Sequence, residues 1–506
     1  MARLIEIRSA IFVILEVYIM VKNKEINKID SSHVSAEQII NEIQSHTEIF
    51  RSLTGEAFIK AETDNSIVPL DSTEFECWLR KFCFYQLDDI YLSSGIVQQV
   101  TGYLKMFAEN GEMKELHRRI CVQHNTVYYD LGLDGCHFLK ITEKGITTVK
   151  NSKILMRRSN VFCRQVMPDL EGEPWEIPEF VEKHFHFSSA SEKVLFSVFL
   201  VASFFFEVMP MPLIQLYGEK ASGKTSCEKR ILDLLNPVST GVFALPKRLD
   251  DIAMCLSADY MVAFDNIGWI NEAVSNLFCL ACTGGIIPKR KLFTDNTQMF
   301  RSLKSIVIFN SVNQCVTKSD LADRILTFHL ERFSQEDRRG ELELKEEWEQ
   351  DKPRFFGAIC RAVQGIIGDD EPIKYCSPFR LVDFYMLAVK VGRQIGIKED
   401  EIYEAFEENH NTVNEAIVSG DIVLTAIEQF MMQYSESEIL VFNPTDFYRE
   451  LKDYACGELR FGYADFPRSP ASLTRKIGAN RSNLEDIGIY FETGRAAERY
   501  IKIWKE

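Results

Sequence analysis

The sequence predicts a mixed α/β protein, and three observations lead to this prediction. Of the 506 residues, 46% are apolar and 26% are charged, so the chain can bury sizeable hydrophobic cores. Residues 179–368 alternate short apolar runs with helical patterns, which favours a mostly parallel sheet covered by helices. Within this stretch a glycine-rich segment, residues 218–226, separates an apolar run from a helical pattern. We therefore expect a central α/β domain with smaller domains on either side.

Two segments precede the central domain. Residues 1–35 are an N-terminal extension, in which Glu6, Arg8 and Glu16 interrupt an apolar run, whereas a membrane span needs about 20 apolar residues. Residues 36–178 predict an N-terminal α+β domain. Its helical patterns cover residues 36–53 and 74–108, and the alternating runs that follow are typical of a small antiparallel sheet.

Composition limits the classes of partner and compartment. The formal net charge of −16 excludes a protein that coats nucleic acid through overall positive charge, although local basic patches remain possible. The thirteen cysteines show no even framework of spacings, which indicates reduced thiols. We expect a soluble, cytoplasmic protein with no membrane partner.

The segment GEKASGKTS fits the phosphate-loop pattern G-x-x-x-x-G-K-[ST] without a mismatch. The apolar run before it and the helical pattern after it supply the strand–loop–helix context that this motif needs. Backbone N–H groups in such a loop bind polyphosphate at a helix N-terminus. Lys224 is expected to bridge the β- and γ-phosphates, and the Thr225 hydroxyl to bind Mg²⁺, so ATP and Mg²⁺ are the predicted cofactors. The predicted nucleotide-binding residues are Gly218, Glu219, Lys220, Ala221, Ser222, Gly223, Lys224, Thr225 and Ser226.

Two later apolar runs end in polar residues that suit the same site. YMVAFDN ends with Asp265 and Asn266, and a carboxylate at a strand tip is what Mg²⁺-bound nucleotide requires. KSIVIFNSVN contains Asn310, whose amide can hold the attacking water or the γ-phosphate. The strand-like TGVFALP predicts an extra strand between the two motif strands, as in the P-loop ATPases that include AAA+ proteins.

The residues alone leave alternatives for the general base and for the arginine finger. Many AAA+ enzymes carry a glutamate where this chain has Asn266, and an amide cannot accept a proton. Glu219 and Asp259 are candidates by position, and slow hydrolysis with Asn266 orienting water is also compatible. Arg324, at the start of a further strand-like run, is expected to reach the nucleotide of a neighbouring subunit. A surface salt bridge is the alternative for Arg324.

Two basic segments predict contacts with nucleic acid. Between Asp265 and Asn310, IIPKRKLFTDNTQMFRSLK predicts a hairpin around TDN that bears Lys289, Arg290 and Lys291, which suits the phosphates of single-stranded DNA. A solvated surface hairpin is the alternative.

Residues 369–435 predict a helical domain, and residues 436–506 predict a winged helix. Arg475 and Lys476 of that domain are expected to lie along phosphates, although winged helices also dock proteins.

Taken in order, these pieces resemble a family of P-loop ATPases encoded by prophages, plasmids and integrated elements, related to superfamily 3 replicative helicases. The resemblance begins near residue 58 and rests on the ordered set PLIQLYGEKASGKTS, VAFDNIGWI, KRKLFTD, IFNSVN and FPRSPASLTRKI. It implies an AAA+-like P-loop ATPase core that acts as a hexameric ring on DNA, with single-stranded DNA in a central pore. The residues that take the family's usual roles are Gly218, Lys224, Thr225, Asp265, Arg290, Asn310 and Arg324.

An ATP-dependent DNA helicase or translocase, acting in replication of a mobile genetic element, is therefore the leading hypothesis. A replication initiator or loader that hydrolyses ATP without unwinding DNA is the second, and Asn266 fits it. A defence or regulatory NTPase that binds a protein through its winged helix is the third.

Overall fold

The chain divides into two compact units at Glu115 and Leu116. The computed structural model describes residues 35–61, 66–87, 90–133, 135, 137–150, 153–290, 298–316, 318–333, 339–436, 438–462, 466–495 and 499–506. The predicted N-terminal extension lies outside these residues, apart from its last residue. None of the helices in the described ranges has the length and apolar character that crossing a bilayer requires.

The first unit packs helices on a four-stranded sheet. Its first helix begins at a capping box, in which the Ser35 hydroxyl accepts from the backbone of Gln38 and the Gln38 side chain accepts from the backbone of Ser35. This helix is shorter than the predicted 36–53, because residues 47–52 form a strand whose first five residues pair with the next strand, so Phe50 belongs to a strand. The elements are α1 (Ala36–His46), β1 (Thr47–Ser52), β2 (Ala57–Ala61), β3 (Ile67–Pro69), α2 (Thr73–Gln86), α3 (Ser94–Asn110) and β4 (Met113–Lys114).

The second unit opens with a four-stranded antiparallel sheet. The Tyr129 hydroxyl of this sheet donates to the carbonyl of Leu235 at 2.7 Å, and Arg119 donates to the Asn236 side chain at 2.8 Å. These buried contacts tie the sheet to the core of the second unit, which begins at Leu116. The predicted domain boundary at residue 178 remains a prediction. The strands are β5 (Ile120–Gln123), β6 (Thr126–Tyr129), β7 (His137–Thr142) and β8 (Gly145–Lys150).

A five-stranded parallel sheet forms the centre of the second unit and bears out the mixed α/β prediction. Two 3₁₀ turns (Pro174–Glu176 and Ser203–Phe205) precede its first strand. The elements around it are α4 (Ile177–His184), α5 (Ala190–Ala202), β9 (Leu213–Tyr217), α6 (Lys224–Leu235), β10 (Phe243–Ala244), α7 (Leu249–Ala258), β11 (Met261–Asp265), α8 (Glu272–Thr283), β12 (Ile286–Arg290), β13 (Gln298–Ser302), β14 (Ile306–Ser311), α9 (Ser319–Ala322) and β15 (Ile325–His329).

The strand order of this parallel sheet is β10-β11-β14-β9-β15. The predicted extra strand exists as β10. It lies at the edge of the sheet, so the prediction that it would lie between the two motif strands, β9 and β11, was wrong. β14, which carries Asn310, separates β9 from β11 instead. All six residues of β14 are buried, whereas β10 has only two residues and neither is fully buried. A fully buried strand that begins with four apolar residues gains most from a central position, which explains this order.

The rest of the second unit is a helical region followed by a small sheet. Residues 438–506, here called the C-terminal sheet domain, contain a three-stranded antiparallel sheet of order β16-β18-β17. Ser469 caps one of its helices and Pro470 is the first residue of that helix. The elements are α10 (Glu341–Ile367), α11 (Val382–Ile395), α12 (Glu399–Gly420), α13 (Ile422–Met431), β16 (Leu440–Phe442), α14 (Pro444–Gly457), α15 (Pro470–Ala479), α16 (Arg481–Asp486), β17 (Ile489–Arg495) and β18 (Arg499–Lys505).

One helix connects the parallel sheet with the C-terminal sheet domain. The Asn409 side chain of α12 donates to the carbonyl of Thr327 on β15 at 3.0 Å. Five residues further along α12, Asn414 and Asn483 of α16 exchange hydrogen bonds at 2.8 and 3.2 Å. All three asparagines are buried, so these bonds are shielded from water.

Candidate nucleotide-binding site

The glycine-rich loop joins β9 to the N-terminus of α6. Gly218 and Gly223 have φ angles of +152° and +82°, which favour glycine. A Cβ atom on Gly218 would lie 2.3 Å from the carbonyl oxygen of Leu330, so only glycine fits there without movement of the backbone. The loop therefore turns tightly into the helix, with the backbone of residues 218–223 wrapped around its N-terminus.

The Lys224 ammonium lies inside the curve of this loop. Its Nζ donates to the carbonyls of Gly218 and Glu219, both at 2.7 Å, and contacts the Ser222 hydroxyl at 3.4 Å. Burial lowers the pKa of Lys224, and the charges of Asp265 and Glu228 oppose this effect. The loop is thus held in shape by a cation at the position where a polyphosphate would be bound.

Thr225, Asp265 and Asn310 meet at the carboxyl edge of the parallel sheet, as the motif order predicts. The Thr225 hydroxyl donates to Asp265 Oδ1 at 3.0 Å, and Asn310 Nδ2 donates to the same oxygen at 2.7 Å. A hydroxyl and a carboxylate are the hard oxygen donors that Mg²⁺ prefers, so this pair suits a Mg²⁺ ion bound with a nucleotide. Such an ion would neutralise phosphate charge.

Glu228 is a fourth member of this group, and the motif analysis missed it. It lies one turn after Lys224 on α6, its side chain is fully buried, and its Oε2 accepts from Asn310 Nδ2 at 2.6 Å. Burial raises the pKa of Glu228 well above its usual value; the Asn310 hydrogen bond lowers it and the charge of Asp265 raises it further. The i, i+4 spacing from Lys224 was the available signal, because it puts both side chains on one face of the helix.

Asn266 and the two carboxylates considered as general bases, Glu219 and Asp259, occupy three different places. Asn266 has a φ of +56°, and its backbone N–H donates to Asn310 Oδ1 at 3.0 Å. Glu219 is an exposed loop residue whose carboxylate lies 3.6 Å from Arg332. Asp259 precedes β11 whereas Asp265 ends it, so about 20 Å of strand separates them. Its side chain accepts from Ser159 instead, which removes Asp259 from the candidates.

Arg324 lies at the opposite edge of the parallel sheet. It directly precedes β15, whose first residue pairs with the first residue of β9, whereas the loop follows the last residue of β9. Its guanidinium is 13% exposed and lies 2.5 Å from the Asp320 carboxylate. Arg324 therefore does not face the loop of its own chain, and the finger role remains a prediction that concerns a second copy.

A cleft of about 470 Å³ opens beside the loop. It is bounded by Ser222 and Gly223 on one side and by Phe333, Leu344 and Trp348 on the other. A partly apolar cleft that adjoins a phosphate-binding loop is the arrangement expected for a nucleoside. His186 stacks on Phe333 with ring centroids 4.8 Å apart and also lines the cleft.

The basic hairpin is present as β12 and β13, paired antiparallel from Ile286 and Ser302 to Arg290 and Gln298. Lys289 and Arg290 lie on β12, and Lys291 and the TDN turn lie outside the described residues. Phe300 on β13 is 45% exposed. Lys304, two residues before β14, points inward and donates to the carbonyl of Glu207 at 2.7 Å.

The two basic residues predicted in the C-terminal sheet domain have different surroundings. Arg475 is exposed and lines a groove of about 990 Å³ between the N-termini of α14 and α15 and the β17–β18 ribbon. Arg495 and Arg499 line the same groove. Lys476, in contrast, lies 2.8 Å from the Asp421 carboxylate, at the N-cap of α13. The groove is therefore lined by three arginines, whereas Lys476 forms an ion pair with Asp421.

Comparison with known proteins supports the family that the ordered motifs suggested. Residues 180–412 match the family described as "Actinomycete integrative conjugative element replication protein". This stretch contains the loop, Asp265, the hairpin strands, Asn310 and Arg324. The resemblance to replication proteins of mobile elements is thereby confirmed over this part of the chain. Among curated proteins, none matches the sequence significantly.

Several solved structures are similar at low identity. "SCCmec type IV Cch - active helicase" is 12% identical, covers 91% of this chain and 93% of its own, and has a TM-score of 0.44. "The A form apo structure of NrS-1 C terminal region-CTR" is 10% identical over 94% of this chain and 100% of its own, with a TM-score of 0.39. At such identities and scores these are distant similarities.

Proposed function

We propose that this protein is an ATP hydrolase that drives a DNA helicase or translocase during replication of a mobile genetic element. The observation that supports it best is the hydrogen-bonded group of Thr225, Asp265 and Asn310 beside the Lys224 loop. Such a group binds a polyphosphate, holds Mg²⁺ and directs an amide toward the reacting phosphate. The match of residues 180–412 to replication proteins of integrative elements supports DNA as the partner.

The basic hairpin supports movement along DNA. It connects α8 to β14, so it is joined directly to the strand that carries Asn310. In the proposed hexameric ring, Lys289, Arg290 and Lys291 line a central pore and follow the phosphates of single-stranded DNA. We also propose that the chain has an AAA+-like core and a winged helix, forms a ring and acts in the cytoplasm.

The first experiment measures ATP hydrolysis with and without single-stranded DNA, for the wild type and Lys224→Ala. We expect DNA to stimulate the wild type, and Lys224→Ala to lower turnover at least ~100-fold, because Lys224 compensates charge at the reacting phosphate. A strand-displacement assay then tests unwinding. Hydrolysis that no nucleic acid affects would contradict the helicase proposal.

A hairpin variant separates hydrolysis from DNA coupling. Replacing Lys289, Arg290 and Lys291 by alanine should abolish stimulation by DNA while basal hydrolysis stays within about twofold, since Lys289 and Arg290 lie on β12 and not in the glycine-rich loop. Lys374→Ala provides the matched control, because Lys374 is an exposed lysine that pairs with Asp400. If the hairpin variant is stimulated as strongly as the control, the pore assignment is incorrect.

Asn266 favours a second candidate, an initiator or loader that uses ATP as a switch. An amide at this position cannot accept the proton of the attacking water, so hydrolysis is expected to be slow. The two candidates differ in the displacement assay. A switch assembles on DNA with ATP and hydrolyses it slowly without displacing a strand, whereas a motor displaces the strand over many turnovers.

A further inference from the structure

Glu228 is a buried carboxyl group to which no motif assigns a role. Its side chain is 0% exposed, and its Oε1 has no hydrogen-bond partner among the described residues. A buried polar atom without a partner lowers stability. The fold nevertheless holds this group against the site, because Oε2 accepts from Asn310 Nδ2 at 2.6 Å.

Asn310 uses its full donor capacity in this arrangement. Its Nδ2 donates one N–H to Glu228 Oε2 and the other to Asp265 Oδ1, at 2.6 and 2.7 Å. An amide NH₂ group has only two donors. The amide oxygen accepts from the backbone of Asn266 at 3.0 Å. Asn310 therefore cannot donate to a phosphate or a water molecule until one carboxyl group releases an N–H.

Asp265 and Glu228 differ in how easily each can release the N–H group that it accepts from Asn310. Asp265 ends its strand, is partly exposed and also accepts from Thr225, so an incoming ligand can take over its oxygens. Glu228 lies on the buried face of α6 and has no exposed surface. Any ligand that engages Asp265 frees one N–H of Asn310, and Glu228 retains the other.

We propose that Glu228 is a positioning residue for hydrolysis: it anchors one N–H of Asn310, so that the second N–H is directed at the bound nucleotide. This inference rests on the proposed function and deepens it, by naming a residue outside the loop that sets the geometry of Asn310. Glu228 does not touch the ligand itself. Its loss therefore lowers turnover and leaves nucleotide affinity largely unchanged.

Two substitutions separate the acceptor from the volume of the side chain. Glu228→Gln keeps a carbonyl oxygen at the same distance from the backbone, and Glu228→Leu fills similar space without an acceptor. In the full-length chain with ATP and Mg²⁺, we expect Glu228→Leu to lower kcat roughly 10- to 100-fold, because a reacting group held out of place costs about that much. KM stays within about threefold, and Glu228→Gln retains most of the wild-type kcat.

Two readouts do not depend on turnover. The affinity for a fluorescent, non-hydrolysable ATP analogue should change by less than about threefold in Glu228→Leu, because its contacts with the loop remain. The changes in thermal midpoint caused by Glu228→Leu and Asn310→Ala, measured without nucleotide, should not add up in the double variant, since the two side chains share a hydrogen bond.

A turnover measurement on the double variant completes the test. In the Asn310→Ala background, Glu228→Leu should have no further effect on kcat.

Glu192→Leu is the matched control. Glu192 is another carboxyl group of low exposure in the same unit, and it accepts from the backbone of His329 at 2.5 Å, away from Asn310. Its replacement lowers the thermal midpoint but not the kcat of the folded protein. If Glu228→Leu does not fold, Glu228→Met, which is unbranched, takes its place.

Three results would overturn the inference. An unchanged kcat in Glu228→Leu, while Lys224→Ala abolishes hydrolysis, would remove the positioning role and leave the proposed function intact. Equal loss in the Gln and Leu variants would mean that the charge, and not the acceptor, is required. A KM that rises as kcat falls would assign Glu228 to binding. A wild type that does not hydrolyse ATP would refute the proposed function itself.

Discussion

The loop site and the C-terminal sheet domain use polar residues in opposite ways. Around the loop, Thr225, Asp265, Asn310 and Glu228 contact one another, and Asn310 and Glu228 are buried. In the C-terminal sheet domain the basic residues lie at the surface. There Arg475 lines an open groove, while Lys476 pairs with an acid of the helical region.

This difference shows why one region was easier to predict than the other. Buried polar groups require partners, so few arrangements satisfy residues that follow the ends of neighbouring parallel strands. A surface cation is solvated in many arrangements, so its role depends on what the fold brings near it.

Asp265→Asn is expected to have the largest effect on activity. It removes the charge that suits Mg²⁺ and should lower ATP turnover at least ~100-fold. The thermal midpoint without nucleotide should not fall, because the charge of Asp265 acts unfavourably on the buried Glu228. Steady-state hydrolysis and thermal unfolding measure the two effects. A large drop in midpoint would mean that this group of residues is mainly structural.

Gly218→Ala should impair both folding and nucleotide binding. Its Cβ would lie 2.3 Å from the Leu330 carbonyl, and relief of that overlap should lower the free energy of unfolding by about 1–3 kcal/mol. Denaturant unfolding and affinity for an ATP analogue measure the two losses. Gly268→Ala is the control, because a Cβ there meets no atom within 4 Å. Equal stability of the two variants would show that the loop can move away from Leu330.

Arg475 and Lys476 are neighbours that should behave differently toward DNA. Arg475→Ala should weaken DNA binding and reduce the slope of log K against log salt by about 1, as for loss of one phosphate contact. Lys476→Ala should leave affinity within about twofold, since its partner is Asp421, and should lower stability by less than about 1 kcal/mol. Binding titrations at several salt concentrations decide. Equal losses would mean that DNA displaces Asp421.

The smallest expected effect concerns pH and stability near the cleft. His184 is 2% exposed, its Nε2 lies 2.8 Å from Asp351, and burial lowers its pKa below the usual 6.5. The unfolded chain therefore takes up a proton before the folded one does, so stability is present above pH 6.5 and is lost as pH falls below it.

His184→Gln should therefore flatten the decline in the free energy of unfolding between pH 7.5 and 5.5. Urea unfolding at several pH values measures this. His46→Gln, which changes an exposed histidine on α1, should follow the wild-type curve. An unchanged slope in His184→Gln would mean that another group causes the decline.

The convergence of Lys224, Thr225, Asp265 and Asn310 was predictable, because each residue follows or ends an apolar strand pattern and parallel strands bring such ends together. Glu228 could not be assigned in the same way. Its spacing puts it on the face of Lys224, but only the tertiary structure shows that Asn310 covers that face. The strand order could not be predicted from the sequence either, since the central position of β14 depends on its pairing with β11 and β9, which are distant in the chain.

Predictions from local sequence patterns were wrong where the same residues suit both a helix and a strand. Phe50 continues the helical spacing of α1, yet β1 begins at Thr47, because pairing with β2 is a contact between distant parts of the chain. Likewise the pairing of Lys476 with Asp421 joins two helices that no motif relates.

Helix α12 has a mechanical consequence. It holds β15 through Asn409 and α16 through Asn414, two points about 7.5 Å apart on one rigid rod. β15 is hydrogen-bonded to β9, the strand that leads into the glycine-rich loop. Hydrogen bonds thus connect the loop strand to the C-terminal sheet domain through β15 and α12, in parallel with the covalent chain between them.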